Sequence, residues 1–276
     1  MSIMGVLTRN EFLKMRKRRA FWVTLALFSA IALLGLGEDF VDALREGTDA
    51  YAFPNLWGEV LGEPTQIVAI FGTVALLLLI SSEFAWRTAR QNVIDGLTRE
   101  QWYWGKAITV LLVATAFLGL YLVIGGGFGI AATDFGGPEP IMHGYQARAL
   151  GAVVLSVAGY GALALLIATI VRSTGGAMAI WFFYVAFGES LIRNGIARVW
   201  EGSAPYLAYA PVAVFDALRD YLMFDPAALA RVAERMQEAG RPAPEPGDPG
   251  TLALVAGGWI VLLVLGGFLA FRRRDL

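Results

Sequence analysis

Six apolar stretches, each long enough to cross the ~30 Å hydrocarbon core of a bilayer, dictate what this chain can fold into. They run over 20–37, 65–82, 107–132, 149–171, 174–192 and 251–271. Inside lipid every backbone N–H and C=O must find a partner within the protein, so stretches of this length become helices. The sequence therefore predicts an all-α membrane protein with six transmembrane helices, built as a single transmembrane domain over 1–276. Composition agrees: 57% of the residues are hydrophobic and the mean hydropathy is +0.59, against roughly 45–50% apolar content in soluble domains. The 32 glycines suit helices packed closely in lipid. A basic cluster precedes the first stretch, as in a secretory signal. Its apolar run is long for one, and the rest of the chain is membrane-embedded too, so it is read as a retained span. The fifth stretch is the least regular, because Gly188 and Glu189 sit inside its outer end.

Charge sets the expected direction. Place the N-terminus, the 83–106 loop, the turn at Arg172 and the C-terminus on one side. That side then holds 14 of the 22 Lys/Arg but only 5 of the 23 Asp/Glu. Basic residues are retained in the cytoplasm, so both termini are expected there. On the other side lie an acidic loop over 38–64, interrupted by Tyr51, Phe53 and Trp57, and a longer loop over 193–250. Within the latter, Asp225 and Pro226 form a helix start and Gly240 a stop, with Leu229, Val232, Ala233 and Met236 on one face. RPAPEPGDPG over 241–250 reads as a linker into the last span.

Several functions are excluded early. A net charge of −1 gives nucleic acid no electrostatic footprint. The absence of Cys leaves no thiolate chemistry, and with His143 as the single histidine no all-protein transition-metal site is expected. GxxxxGK[ST] occurs nowhere: Gly105-Lys106 is followed by Ala107, with Glu100 where the first glycine should stand. ATP energy would have to come from another polypeptide.

The polar segment after the second span, SSEFAWRTARQNVIDGLTREQWYWGK, carries the most local information. Trp86, Ala89, Val93 and Leu97 recur at helical spacing, with Arg87, Arg90, Gln91 and Asp95 between them. Gly96 can end that helix in a left-handed conformation, and Thr98 with Gln101 forms a capping box for the next. Trp102, Tyr103 and Trp104 are expected to anchor it at the membrane surface. The N-terminal segment over 1–19 repeats the design: Thr8 and Glu11 form a second capping box, and Lys14 to Arg19 meet the membrane, where they also suit anionic lipid. By residues alone, the 83–106 segment reads either as a helix resting on headgroups or as a docking element for a soluble partner.

These strings, together with NEFLKMRKRR before the first span, YAPVAVFDAL before the last and FRRRDL after it, resemble the six-span permease subunits of type-2 ABC transporters. The resemblance covers essentially the whole chain. It implies an N-terminal amphipathic elbow helix and a cytoplasmic coupling helix between spans two and three. It further implies an ABC ATP-binding subunit as partner, a second copy of the permease or a related one, and the bacterial plasma membrane as location. ATP and magnesium would sit on the partner and no cofactor on this chain, which would be a transport subunit and not an enzyme. Glu83, Arg87, Arg90, Asp95, Gly96 and Arg99 fall in the segment that would couple to that subunit.

Other residues have competing readings. Glu83 precedes Arg87 by four positions, an order that suits a helical ion pair. Glu189 either lines the exit of a translocation path or marks where the fifth span surfaces. Tyr160 and Tyr184 stand mid-span, as cavity-lining groups or as helix-to-helix hydrogen bonders. Gly125 to Gly129 reads as helix packing or a kink, and His143 as solvated. An ion-coupled secondary transporter is the principal alternative, disfavoured because the spans carry no acid at their midplane. A membrane-embedded lipid-modifying enzyme is weaker still. Asp95-Gly96 resembles the start of the DGxxAR motif of phospholipid-forming transferases, but Arg99 and Glu100 stand where Ala and Arg are required.

The orientation is directly testable, since the chain has no cysteine of its own. With single cysteines at Thr48, Ser203 and Thr98, an impermeant thiol reagent outside intact cells should label the first two alone. Labelling at position 98 from outside would reverse the topology.

Overall fold

A computed structural model describes residues 3–62, 65–86, 88–135, 140–220 and 248–273. Among the described residues the structure is helical throughout, with no strand. Six helices are long and apolar enough to cross a membrane. They are α2 (Arg19–Glu46), α4 (Gln66–Ala85), α6 (Arg99–Ala132), α7 (Gly144–Val171), the composite Thr174–Val199, and α12 (Pro249–Arg272). Between them lie α1 (Ile3–Lys17), α3 (Leu56–Leu61), α5 (Thr88–Ile94), α10 (Ala204–Leu207) and α11 (Pro211–Arg219). The composite span consists of α8 (Thr174–Phe183), a π-helical turn (Tyr184–Gly188) and α9 (Glu189–Val199). Six crossings return the chain to the side where it began. We call that side, which also bears the Arg172 turn, the near side and the other the far side.

The centre of the bundle is α7. Of its most apolar window 72% is buried, against 22% for the fifth and sixth spans. It touches α3, α4, α6, α8, α11 and α12. Small residues let neighbours approach closely: a Cβ on Gly159 would lie within 2.6 Å of the Phe215 ring, and one on Gly161 2.5 Å from Val110.

Several expectations need correction. The first span does not stop near Gly37. It continues through Glu38, Asp39 and Asp42 to Glu46, where Gly47 closes it in the left-handed conformation at φ 68°. In the acidic segment beyond, Tyr51, Leu56, Val60 and Leu61 are buried, and α3 packs on α6 and α7. The glycine run 125–129 lies within α6, and its packing role is visible. What it admits is this far-side segment: Val60 seats on Gly125, and Leu56 with Phe53 on Gly129. Thr8 starts no helix. It sits inside α1 and donates its hydroxyl to the Met4 carbonyl. The backbone N–H of His143 donates to Gln146 Oε1, and Gln146 Nε2 to the Pro54 carbonyl. The helix read at 225–240 and the linker lie outside the described residues. Ser203 is fully buried, whereas Tyr206 is exposed and serves better as a far-side cysteine position.

The glycine contacts carry a prediction. Gly129→Ala would place a Cβ 2.4 Å from Leu56 Cδ2 and 2.8 Å from Phe53 Cζ, an overpacking that costs about 1–3 kcal/mol. Gly126→Ala and Gly127→Ala meet nothing within 4 Å. Thermal unfolding in detergent should show a lowered midpoint for Gly129→Ala alone, and three equal midpoints would refute the seat.

Candidate functional site: a buried charge cluster beneath an exposed loop helix

The cluster begins with a single residue out of pattern. In α1 the residues turned toward the bundle are Leu7, Glu11 and Met15, four apart. The middle position of an apolar stripe is thus a carboxylate, and a buried charge requires partners. Glu11 finds them on α6: Lys106 Nζ donates to its Oε2 at 2.6 Å and Thr109 Oγ1 to the same oxygen at 2.9 Å. Lys14, one turn along α1, donates to Oε1 at 2.9 Å. Lys106 also donates to Glu83 Oε1 at 2.7 Å, and Lys14 lies 3.6 Å from that oxygen. The other oxygen of Glu83 accepts from Trp102 Nε1 at 3.0 Å and from Asn92 Nδ2 at 3.5 Å.

Two carboxylates and two ammonium groups therefore neutralise one another, with Lys106 1%, Glu83 3% and Glu11 6% exposed. Burial alone would raise the Glu11 carboxyl, but the Lys106 and Lys14 charges outweigh it and hold it below its ordinary 4.5. Burial would lower Lys14, yet Glu11 and Glu83 hold it above its ordinary 10.5. The signs follow from linkage. The Glu11 contribution to stability is complete above 4.5 and lost as pH falls through the lowered native value. That of Lys14 is complete below 10.5 and lost as pH rises through the raised one. The Glu11–Lys14 pair is thus ionised on both sides across the neutral range.

Its near wall is the loop predicted to carry information. Trp86 ends α4 as its C-cap, and the Thr88 hydroxyl donates to the Glu83 carbonyl at 3.2 Å. Helix α5 then projects with Arg90, Gln91 and Asp95 exposed and Ala89 buried. Asp95 accepts from Gln91 Nε2 at 2.8 Å. Gly96 has φ 110°, a conformation that favours glycine. Thr98 and Gln101 make the reciprocal capping box that starts α6. Arg99 is exposed at its first position. Arg87, and with it the Glu83–Arg87 pair read from spacing, lies outside the described residues; Glu83 bonds Lys106. Trp102 and Tyr103 are not surface anchors. Both are buried, Trp102 stacked on Phe271 at 4.8 Å, and only Trp104 is partly exposed. Trp86 is exposed, with the Arg18 guanidinium 4.7 Å over its ring.

On the far side, Tyr160, Tyr184 and Glu189 come together around one element. Glu189 is buried and accepts the Val212 and Ala213 N–H groups at 2.8 Å each, capping α11, while Tyr184 Oη donates to it at 3.1 Å. Tyr160 Oη donates to Asp216 of α11 at 2.6 Å, and Ser156 Oγ to the Phe215 carbonyl at 2.7 Å. The carboxylate is thus turned into the protein, where it caps α11. Sequence reading missed Glu11, Lys14, Lys106, Trp102 and Thr109 near, and Asp216 with Arg219 far. One signal was legible, the 7–11–15 spacing that puts Glu11 on the stripe. Comparison with known proteins found no matching family model and no matching curated protein.

Removing one partner of a buried charge cluster costs about 3–5 kcal/mol, because the others are left uncompensated. Lys106→Met should therefore sharply lower the unfolding midpoint in detergent. Lys14→Met, at a one-third exposed side chain, should cost about 1 kcal/mol or less. Equal small losses in both variants would show that the cluster does not hold the fold.

Proposed function

We propose that this chain is the membrane-spanning permease subunit of an ATP-driven ABC transporter, an exporter of the bacterial plasma membrane working as a pair of permease copies. The near side is then cytoplasmic, α1 is the elbow helix and α5 the coupling helix. A separate subunit binds ATP and magnesium and docks on α5. The observation that carries this reading is the mounting of α5. A short helix with a polar exposed face projects from the bundle, and its base is tied through Thr88, Asn92 and Glu83 to a buried ion cluster joining α1, α4 and α6. A helix that merely rests on headgroups has no need of such a base. A push on α5 would reach three helices together.

An ion-coupled secondary transporter draws support from one observation. The spans carry no midplane acid in sequence, yet folding brings Asp216 of the far-side segment to Tyr160 in the middle of α7. The two readings part on energy source.

Co-purification decides between them. The permease reading expects a stoichiometric ATP-binding partner, and no ATP hydrolysis by the isolated chain. Asp95→Lys reverses a charge on the docking face, where mispaired charges cost several kcal/mol. Gly96→Val forces a β-branched residue into φ 110°. Both variants should insert normally and lose the partner or its coupled hydrolysis. Wild-type association in both would return α5 to the membrane surface, and ATP-independent transport by the pure chain would favour the secondary transporter.

A further inference from the structure

The elbow between α1 and α2 gathers positive charge that no described residue answers. From Ile3 to Gly37 the only acid is Glu11, and the buried cluster takes it together with Lys14 and Lys106. Arg9, Arg16, Lys17, Arg18 and Arg19 remain. The last four are consecutive, at the break where Arg18 turns extended between the two helices. Arg16, Lys17 and Arg19 are exposed, and none of the four pairs with a carboxylate among the described residues. Two tryptophans frame the break. Trp22 donates its Nε1–H to the Arg16 carbonyl at 2.8 Å, and Trp86 lies 4.7 Å beneath the Arg18 guanidinium. Both rings are exposed.

Position along the first span says what meets this charge. Arg19 is the first residue of that span, so the elbow stands where α2 enters the hydrocarbon, at the level of lipid headgroups. Exposed tryptophans suit the same level. One turn past Arg19, on the same face of α2, an exposed apolar stripe begins: Val23, Leu27, Ile31 and Leu34. A soluble protein can reach Arg9, but it cannot follow a stripe that runs into the bilayer. A molecule with a negative head and apolar chains fits both ends of this surface. Arg18 has a second set of neighbours, for it lines a small cleft with Lys14, Glu83 and Lys106. The elbow thus touches the buried cluster on one side. On the other it touches Trp86, the cap of α4 just before α5.

We infer that the elbow is a binding site for an anionic phospholipid of the near leaflet. The headgroup lies among Arg16, Lys17, Arg18 and Arg19, between Trp22 and Trp86, and a chain follows the stripe from Val23 to Leu34. Lys14, already neutralised in the cluster, takes no part. The bound headgroup fixes Arg18, and Arg18 fixes Trp86 at the root of α5. The lipid site needs no partner protein; only its bearing on α5 rests on the permease reading. Under that reading the site makes the coupling helix sensitive to the anionic lipid around it.

The test uses the full chain in phosphatidylcholine nanodiscs. Phosphatidylglycerol and phosphatidylcholine, each brominated on the chain close to the headgroup, are titrated in and quench tryptophan fluorescence on contact. The expected result is quenching by the anionic lipid at a much lower mole fraction, with Trp22→Phe and Trp86→Phe each removing part of the excess. Arg16→Gln with Arg19→Gln should weaken the anionic lipid about 25-fold, at about fivefold for each charge. Arg272→Gln with Arg273→Gln removes two exposed near-side cations on α12 and should leave the preference unchanged. Both double variants should melt like the wild type, since all four side chains are exposed. Equal quenching by the two lipids overturns the inference. So does an equal loss in the two double variants, which would reduce the effect to diffuse attraction by the whole near side. Crosslinking from a cysteine at Lys17 to a soluble partner, with no preference among lipids, would assign the elbow to that partner and overturn it as well. A preference that persists in a chain recruiting no ATP-binding partner keeps the lipid site and removes only its link to coupling.

Discussion

Three buried charges, Glu11, Glu83 and Lys106, with the half-buried Lys14 beside them, fix the geometry around them on the near side. Lys106 stands at the centre, bonded at 2.6 Å to Glu11 and 2.7 Å to Glu83, which ties α1 to α6 and α6 to α4. None of these groups could be buried singly. Glu11 requires Lys106, which in turn brings α1 under the bundle, and Glu83 then determines where α4 ends and α5 begins. The loop helix inherits its position from an electrostatic requirement several residues away. Trp102 completes the arrangement, donating to Glu83 and stacking on Phe271, so the last span is held to the same corner.

The far side is built by a different physics. Two short helices, α3 and α11, are let into the bundle by missing side chains: α3 against Gly125 and Gly129, α11 against Gly159. Backbone packed into an apolar bundle must still be satisfied. For α11 that is done by side chains from three spans: Glu189 at its N-terminus, Ser156 at the Phe215 carbonyl, and Trp259 just ahead of it. The π-helical turn widens the fifth span immediately before Glu189. A π-turn shifts the facing of every later residue along a helix, and here the first residue it re-aims is the cap.

Much of the fold was legible because lipid simplifies the code. Length and hydropathy located six spans, since nothing but a helix satisfies twenty apolar residues in a bilayer. Local chemistry with short reach was legible too: the Thr98 capping box and the Gly96 break are as their neighbours dictate. Contacts of long sequence separation were not. Glu11 and Lys106 are 95 residues apart, and each taken alone offers a nearer partner or solvent as a cheaper reading. Spacing pairs Glu11 with Thr8, because it weighs only neighbours along one helix. Trp102 and Tyr103 look like an aromatic belt because composition cannot tell a ring at the surface from one beneath a neighbouring span. The bond from Tyr160 to Asp216 was invisible for the same reason: a polar segment is read as lying apart until packing brings it against a span.

The contrast between the two sides bears on how motion would cross this molecule under the permease reading. The near-side cluster behaves as one body, since separating a buried charge from its partners costs about 3–5 kcal/mol and Lys106 shares two. Neutral hydrogen bonds contribute only about 0.5–1.5 kcal/mol each, and those from Tyr184, Ser156, Tyr160 and Trp259 to the far-side elements either end on neutral groups or involve a single carboxylate. A displacement at α5 would therefore pass through α1, α4 and α6 without distorting the corner where they meet, and be taken up where the contacts are weakest. That is around α11, where one of the two carboxylate contacts to the spans, Glu189, sits on the span that already departs from regular helix. Stiffness near α5 and compliance near α11 are consequences of where charge is buried, and they orient the molecule mechanically as the basic residues orient it electrically.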